Sequence, residues 1–344
     1  MGNGTRTMAG NPRFVFLFFD GVGLNPNHKA NPFAAANCRF LPFHQPSPKL
    51  PDGTPVTAVD ALLGVGGIPQ SASGQATLYT GINIPARWGH RGSYPGSGLR
   101  RVLYRDNLLK SLSNCGRKAV FFNAYPHYSQ LFSPPHLELT ADGQFHFSAD
   151  FPQQFRRRLS TTTCMMLSSG MKPRNEEDIR QGTALYQDFS NLSLIRLGLE
   201  MPEYSPEQAA DIIANNAAGV DFLLFEYFQT DIFAHRKTFP ECVDLVRRLD
   251  KLVGRLLEQM DPKKDILILT SDHGNLEDCS LRSHTRNPVP LLAWGDNADG
   301  FRQRIRNLGD VTPMIREWMG CPAASLSAPA EKSGYNDSRQ QELT

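Results

Sequence analysis

The stretch DILILTSDHGN, residues 265–275, carries most of the information about the fold. Its apolar run at 266–269 shows none of the polar–apolar alternation of a half-exposed strand. Such a run is typical of a strand buried on both faces, as in a parallel sheet covered by helices on each side. The run leads into Asp272, His273 and Gly274, where the glycine permits a tight turn. We therefore expect a central strand that delivers a carboxylate and an imidazole to one edge of a sheet.

Other apolar runs of strand length alternate with helical patterns along the chain. Strands are predicted at residues 14–19, 118–122, 220–225 and 289–294. Helices are predicted at residues 71–81, 107–115, 206–218, 238–260 and 310–319. This alternation predicts an α/β fold, in which a three-layer core has a mostly parallel central sheet and helices on both faces.

The alternation is interrupted between residues 127 and 204, a segment with clustered prolines and a basic triplet at 156–158. We interpret this segment as a small inserted cap or substrate-specificity region. The predicted division is a catalytic core at 13–126 and 205–322, the cap at 127–204, and flexible termini at 1–12 and 323–344.

Composition limits the class of protein. The chain has 344 residues, a net charge of +2, 40% hydrophobic residues and 20% charged residues. These values are ordinary for a globular protein, and they give no global field that favours nucleic acid or an anionic membrane as a partner. The six cysteines form no C-x-x-C pair, which favours unpaired thiols in a reducing compartment. Residues 1–12 lack the apolar run of a signal peptide, so we expect a soluble, cytoplasmic protein; the oligomeric state is left open.

Acidic and histidine side chains follow several of the predicted strands. Asp20 comes directly after the first strand, and Asp231 lies a few residues beyond the strand that ends at 225. In a parallel sheet, these side chains and the Asp272–His273 pair would meet at one edge. Asp231 and His235 stand four residues apart, which puts both on one face of a helical turn. Carboxylate oxygens and imidazole nitrogens suit Zn²⁺, Mn²⁺ or Fe²⁺, although a surface helix pair without a metal has the same pattern.

Two loop positions complete the candidate set. Ser71 opens a small-residue stretch, SASGQ at 71–75, at the start of the helix predicted at 71–81. A helix N-terminus offers free N–H groups to a phosphate, and a metal-activated hydroxyl there could attack phosphorus. His284 stands shortly before the strand at 289–294. Each feature alone also fits an ordinary cap or polar loop.

The motifs occur in one order along the chain: FFDGVG (18–23), SASGQ (71–75), DIFAH (231–235), SDHGN (271–275) and HTRNPVP (284–290). In this order they resemble the alkaline phosphatase superfamily, and within it the branch of cofactor-independent phosphoglycerate mutase and phosphopentomutase. GDVTP at 309–313 resembles the helix start that closes that core. The likeness covers roughly 13–125 and 205–320 and leaves 127–204 uncovered.

The resemblance implies an alkaline phosphatase-like fold and two divalent metal ions, Zn²⁺ or Mn²⁺. One ion would be held by Asp20, Asp272 and His273 and would also meet the Ser71 hydroxyl. The other ion would be held by Asp231, His235 and His284.

The resemblance also selects a nucleophile. Ser71, rather than Ser73, stands three residues before the glycine of the S/T-x-x-G-H motif of the mutases. Gln75 occupies the position of the motif's histidine, which is a departure from the family pattern. His90 and Arg91 after the nucleophile helix, and Asn123 after a predicted strand, are candidate substrate contacts.

The expected activity is hydrolysis of a small phosphorylated metabolite through a phosphoserine intermediate. A phosphomutase is the first alternative; it is less favoured because a cap of about 80 residues is small for shielding the intermediate from water. A catalytically inactive metal-binding module is the second alternative.

Overall fold

The computed structural model describes residues 12–26, 29–126 and 128–321. Within these ranges the strands are β1 (Arg13–Phe19), β2 (Val56–Val59), β3 (Ala119–Phe121), β4 (Leu137–Leu139), β5 (Phe145–Phe147), β6 (Phe222–Tyr227), β7 (Asp265–Thr270) and β8 (Val289–Trp294). Six strands form one sheet in the order β2-β8-β7-β1-β6-β3, and β4 pairs with β5 in a separate ribbon.

The central sheet is parallel across four of its strands. β1 pairs in parallel with β6 and with β7, and β3 pairs in parallel with β6. The other edge is antiparallel, because β8 runs against β7 and β2 runs against β8. A mostly parallel sheet is therefore confirmed.

Helices cover both faces of this sheet. They are α1 (Pro32–Ala35), α2 (Ser71–Thr80), α3 (Ile84–Trp88), α4 (Ser97–Arg105), α5 (Leu108–Asn114), α6 (Gln153–Arg156), α7 (Thr161–Ser168), α8 (Glu176–Arg180), α9 (Leu192–Arg196), α10 (Pro206–Ala217), α11 (Gln229–Arg236), α12 (Phe239–Gln259), α13 (Asp299–Arg304) and α14 (Val311–Trp318). Two short 3₁₀ helices lie at Ser129–Phe132 and Leu308–Asp310.

The continuous apolar run of β1 is explained by burial on both faces. Val15, Leu17 and Phe19 pack into one core with α10 and α12, whereas Phe14, Phe16 and Phe18 pack into the opposite core with α2, α5 and α14. Because successive side chains of a strand point to opposite faces, a strand between two helical layers must be apolar at every position. The predicted three-layer α/β architecture is confirmed.

The segment predicted to form a cap contributes the β4–β5 ribbon and helices α6 to α9. Leu185 and Phe189 of this segment pack into the core that contains α10 and α12. Met165 and Met166 of α7 pack into the opposite core. The segment therefore rests on both sides of the sheet, and its definition as a separate region stays a prediction.

A disulfide joins Cys115, after α5, to Cys321, after α14. The two cysteines are 206 positions apart, and they meet because α5 packs against α14. The expectation of unpaired thiols is therefore wrong for this pair. The free cysteines in the described part of the chain are Cys38, Cys164, Cys242 and Cys279.

Among the described residues, no helix combines the length and the apolar character that a membrane span requires.

Gly254 provides a stability test, because a Cβ there would lie 2.5 Å from the Phe40 ring. Gly254→Ala should lower the free energy of unfolding by about 1–3 kcal/mol through overpacking, despite the better helix propensity of alanine. Gly98 lies in α4 with open space around its Cα, so Gly98→Ala should instead raise the free energy of unfolding by about 0.5 kcal/mol. Urea unfolding of both variants measures the difference, and a stabilised Gly254→Ala would contradict the packing argument.

Candidate metal centre

The ends of three adjacent parallel strands carry the acidic and histidine side chains to one edge of the sheet. Asp20 follows β1, Asp272 and His273 follow β7, and Asp231 lies in the first turn of α11, just after β6. Because β6, β1 and β7 are neighbours with one direction, their carboxyl ends meet. The convergence expected from the sequence is present in the structure.

At this edge the side chains form two groups of potential metal ligands. Within each group, one nitrogen or oxygen atom per residue lies within 4.8 Å of the others. The inner group is buried and consists of Asp20, Asp272 and His273. The outer group is half-buried and consists of Asp231, His235 and His284. These are the two ligand sets that the resemblance implies.

The inner group holds two carboxyl groups close to one imidazole. His273 Nε2 lies 3.4 Å from Asp20 Oδ1 and 3.6 Å from Asp272 Oδ2. Burial, together with the nearby Asp272, Asp231 and Glu226 carboxylates, raises the pKa of Asp20 well above its usual range. Asp20 Oδ1 is buried and accepts no hydrogen bond. A cation at this position would relieve both the charge repulsion and the missing contact.

In the outer group, the second ring nitrogens are held by main-chain oxygens. His235 Nδ1 lies 3.0 Å from Arg282 O, and His284 Nδ1 lies 2.9 Å from Pro69 O. With Nδ1 engaged by a carbonyl, each Nε2 faces Asp231, at 3.4 Å for His235 and 3.5 Å for His284. This orientation by an outer hydrogen bond is typical of metal-binding histidines.

The charges of the outer group respond to one another. Burial raises the pKa of Asp231, but the His235 hydrogen bond and the nearby His273 outweigh burial and bring the pKa to about 2. The hydrogen bond to Asp231 in turn raises the pKa of His235. Burial and the neighbouring His273 lower the pKa of His284, which favours the neutral form that a metal ligand requires.

Ser71 faces the inner group. Its Oγ lies 3.0 Å from His273 Nε2, and it is the first residue of α2. The hydroxyl of Ser73 is engaged elsewhere, since it donates to Gln70 O at 3.1 Å and accepts from Arg91 N at 3.0 Å. Of the two serines, Ser71 is therefore the one whose hydroxyl faces the inner group.

The predicted substrate contacts have different surroundings. The amide of Asn123 donates to Glu226 O at 2.7 Å and accepts from Glu226 N at 2.8 Å. Both hydrogen bonds of this side chain are therefore made to the main chain of β6. His90 Nε2 lies 3.4 Å from Val65 O. Arg91 has an exposed side chain, and its backbone bonds to Ser73 beside the start of α2. Contact of these three side chains with a substrate stays a prediction.

Gln75 lies one helical turn after Ser71, and its amide is shared between two carboxylates. Its Nε2 donates to Asp20 Oδ2 at 3.1 Å and to Asp272 Oδ2 at 3.0 Å. The residue that departs from the family motif is therefore in direct contact with the inner ligand group.

Several polar residues at this edge have no role predicted from the sequence. Asn275 Nδ2 donates to Asp231 Oδ1 at 2.7 Å and lies 3.1 Å from His235 Nε2. Glu226 ends the apolar run of β6 and is buried beside the inner group. The sequence feature that indicates a buried role for Glu226 is a carboxylic acid near the end of an otherwise apolar strand. Glu277 is also buried there.

Glu226 places a further buried carboxyl group close to Asp20 and Asp272. Burial raises the pKa of Glu226 to about 7, in spite of a 2.5 Å hydrogen bond from Thr162 Oγ1, and Asp272 contributes in the same direction. Within residues 12–26, 29–126 and 128–321, no lysine or arginine forms an ion pair with Glu226, Asp20 or Asp272. Negative charge without a protein cation is a common property of divalent-metal sites.

The fold and the paired Asp/His groups resemble those of α/β proteins that bind metal ions at the carboxyl edge of a parallel sheet. A family model described as "Metalloenzyme superfamily" matches residues 199–323, which contain every predicted ligand except Asp20 and Ser71.

Sequence relatives are 2,3-bisphosphoglycerate-independent phosphoglycerate mutases. The protein of Desulforudis audaxviator is 31% identical over 127 residues, which cover 35% of this chain and 25% of the relative. Mutase 2 of Methanosarcina barkeri is 32% identical over 130 residues, with coverage of 35% and 25%. The chain thus spans about a quarter of the length of these relatives.

Among solved structures, alkaline phosphatase from the Antarctic bacterium TAB5 aligns with 90% of this chain and 99% of its own, with a TM-score of 0.52 and 11% identity. This likeness concerns the fold. The chain thus shares its fold with this alkaline phosphatase, and part of its sequence is similar to the metalloenzyme superfamily model and to cofactor-independent phosphoglycerate mutases. Divalent metal ions are implied by this relationship.

The raised pKa of Glu226 makes a prediction for chelator-treated protein. In the unfolded chain Glu226 ionises near its ordinary value of 4.5, whereas the folded protein keeps the proton to about pH 7. The stability of the metal-free protein should therefore fall as pH rises from 4.5 to about 7, and this fall should be smaller in Glu226→Gln. Urea unfolding at a series of pH values measures the slopes. The exposed Glu203→Gln is the control and should match the unchanged protein; equal slopes for all three would show that folded Glu226 is already ionised.

Proposed function

We propose that this protein is a two-metal phosphoryl-transfer enzyme that hydrolyses a small phosphorylated metabolite through a phosphoserine at Ser71. The observation that carries the proposal is the 3.0 Å approach of Ser71 Oγ to His273 Nε2, within a buried group of carboxylates that have no arginine or lysine partner among the described residues. A nucleophilic hydroxyl and an anionic site lacking cations are brought together there.

In this proposal Asp20, Asp272 and His273 hold one divalent ion, and Asp231, His235 and His284 hold the other. Zn²⁺ and Mn²⁺ both suit these oxygen and nitrogen ligands. When bound, such a pair lowers the pKa of a nucleophilic hydroxyl and neutralises charge on the transferred phosphoryl group. The carboxylates hold the cations, and the carbonyls of Arg282 and Pro69 keep the outer imidazoles in orientation.

Ser71 supplies the attacking oxygen. Its Oγ loses the hydroxyl proton to solvent and forms a bond to phosphorus, while the bond from phosphorus to the substrate oxygen breaks and that oxygen takes up a proton from solvent to leave as an alcohol. The helix N-terminus at Ser71 favours negative charge on the phosphoryl group. Water then attacks the phosphoserine and releases phosphate, which restores the hydroxyl.

A phosphomutase is the second candidate, because the sequence relatives described above are named phosphoglycerate mutases. In a mutase the phosphoserine returns its group to another hydroxyl, so the site must exclude water. The segment 127–204 would have to supply that shielding. A metal-binding protein without turnover is the third candidate.

The metal content is directly measurable. Chelator-stripped protein that is reloaded with Mn²⁺ or Zn²⁺ and desalted should hold about two ions per chain by elemental analysis. Asp272→Asn and His235→Ala, which remove one ligand from the inner and the outer group, should each lose about one ion. Asp244→Asn, an exposed partner of Arg247, is the control and should keep both ions. Unchanged protein that binds no divalent metal would refute the proposal.

The phosphoserine predicts a covalent adduct. Intact-mass measurement after brief exposure to phosphorylated metabolites should show one added phosphoryl group in the unchanged protein and in Ser73→Ala. The adduct should be absent in Ser71→Ala, because the reactive oxygen is gone. An adduct that persists in Ser71→Ala would assign the nucleophile to a different residue.

A panel of phosphorylated metabolites with added Mn²⁺ or Zn²⁺ separates the candidates, with free phosphate and isomerised product measured in the same reaction. Free phosphate supports the hydrolase, and an isomerised monophosphate supports the mutase. Bound metal without either product supports the metal-binding protein.

A further inference from the structure

We propose that Glu277 is a positioning residue that holds together the loops carrying both candidate metal-ligand groups. This inference rests on the proposed function, since it concerns how the chain arranges the ligands of that site. Glu277 itself belongs to neither ligand group.

The carboxylate of Glu277 is fully buried and accepts hydrogen bonds from separate loops. Its Oε2 accepts from Gly23 N at 2.7 Å and from Asn275 N at 2.8 Å. Its Oε1 accepts from Asn287 Nδ2 at 3.0 Å and from the hydroxyl of Thr285. Hydrogen bonds to an ionised acceptor are roughly twice as strong as those between neutral groups. The contacts of this carboxylate therefore hold the loops in a fixed position relative to one another.

Each of these donors stands close in sequence to a candidate ligand. Gly23 follows Asp20 by three positions, and Thr285 directly follows His284. Asn275 follows His273 by two positions, and its own side chain donates to Asp231. One carboxylate thus connects the inner group to the outer group through the main chain.

The loops approach Glu277 so closely that glycine is required beside it. A Cβ on Gly23 would lie 2.4 Å from the Glu277 carboxyl carbon. A Cβ on Gly274 would lie 2.4 Å from Glu277 Oε1 and 2.2 Å from Thr285 Oγ1. This packing leaves the loops little freedom to shift relative to the carboxylate.

This arrangement requires a hydrogen-bond acceptor at both oxygens of the Glu277 side chain. A carboxylate accepts at both oxygens, whereas glutamine has the same shape but presents N–H groups at one end. In Glu277→Gln, the amide nitrogen would face either the Gly23 and Asn275 N–H groups or the Thr285 and Asn287 donors. The loops would then separate, and the ligand groups would lose their mutual spacing.

A metal titration tests this role. Chelator-stripped protein is titrated with Co²⁺ against a fluorescent chelator, and the visible absorption spectrum of the Co²⁺-loaded protein is recorded. Glu277→Gln should weaken Co²⁺ binding by about 10–100-fold and change the spectrum, because the ligands are no longer held in position. Asn287→Ala removes a single donor and should shift affinity in the same direction by a smaller factor, which provides a second measurement if Glu277→Gln does not fold.

Asp250→Asn is the matched control. Asp250 lies on α12, and its carboxylate accepts main-chain N–H groups from Arg39, Phe40 and Leu41, at 3.1, 2.7 and 2.8 Å. This variant also removes a charge that anchors a loop, but the loop carries no candidate ligand, so Co²⁺ affinity and spectrum should stay unchanged.

The outcomes separate the two proposals. Suppose that the unchanged protein binds Co²⁺ and that Glu277→Gln binds it with the same affinity and spectrum. The positioning role is then wrong and the proposed function stands. The same conclusion follows from Asn287→Ala if that variant alone folds. If Asp250→Asn weakens binding as much as Glu277→Gln, the effect is one of general stability and the positioning role is again wrong. If the unchanged protein binds no Co²⁺, Zn²⁺ or Mn²⁺, the proposed function fails.

Discussion

The crowding of carboxyl groups at one edge of the sheet is the constraint on which the rest of the site depends. Asp20, Asp272 and Glu226 are buried together, and among the described residues their ion-pair contacts come from His273 alone. Such a group of acids is costly to bury unless protons or cations neutralise it. The pKa values of Asp20 and Glu226 are raised because burial and the neighbouring carboxylates disfavour their ionised forms. Divalent ions are the natural complement of the arrangement.

The fold makes this crowding possible. A parallel sheet covered on both faces brings the ends of neighbouring strands to one edge, and its two apolar cores hold the strands in place. Around the acids, hydrogen bonds orient the candidate ligands; they come from Gln75, Asn275 and the carbonyls of Arg282 and Pro69. The stability of the cores thus supports a cluster that is unfavourable by itself.

The fold class and the convergence of the ligand groups could be predicted from the sequence because both follow from local patterns. The apolar run of β1 and the four-residue spacing of Asp231 and His235 can each be recognised from a short stretch of sequence. Contacts between residues far apart in the sequence could not be predicted in this way. Glu277 meets Gly23 across 254 positions, and Cys115 meets Cys321 across 206, so neither contact has a local signal. The helices α6, α8 and α9 of the segment 127–204 are four or five residues long, too short to show a clear periodicity.

The rings of His273 and His284 stack with centroids 3.7 Å apart and planes inclined by 17°, so the inner and outer groups share a wall. The two rings are in van der Waals contact, so a tilt of either ring would press it against the other. In a protein that holds ions in both groups, occupancy of one group therefore changes the affinity of the other, and by thermodynamic reciprocity the effect is equal in both directions.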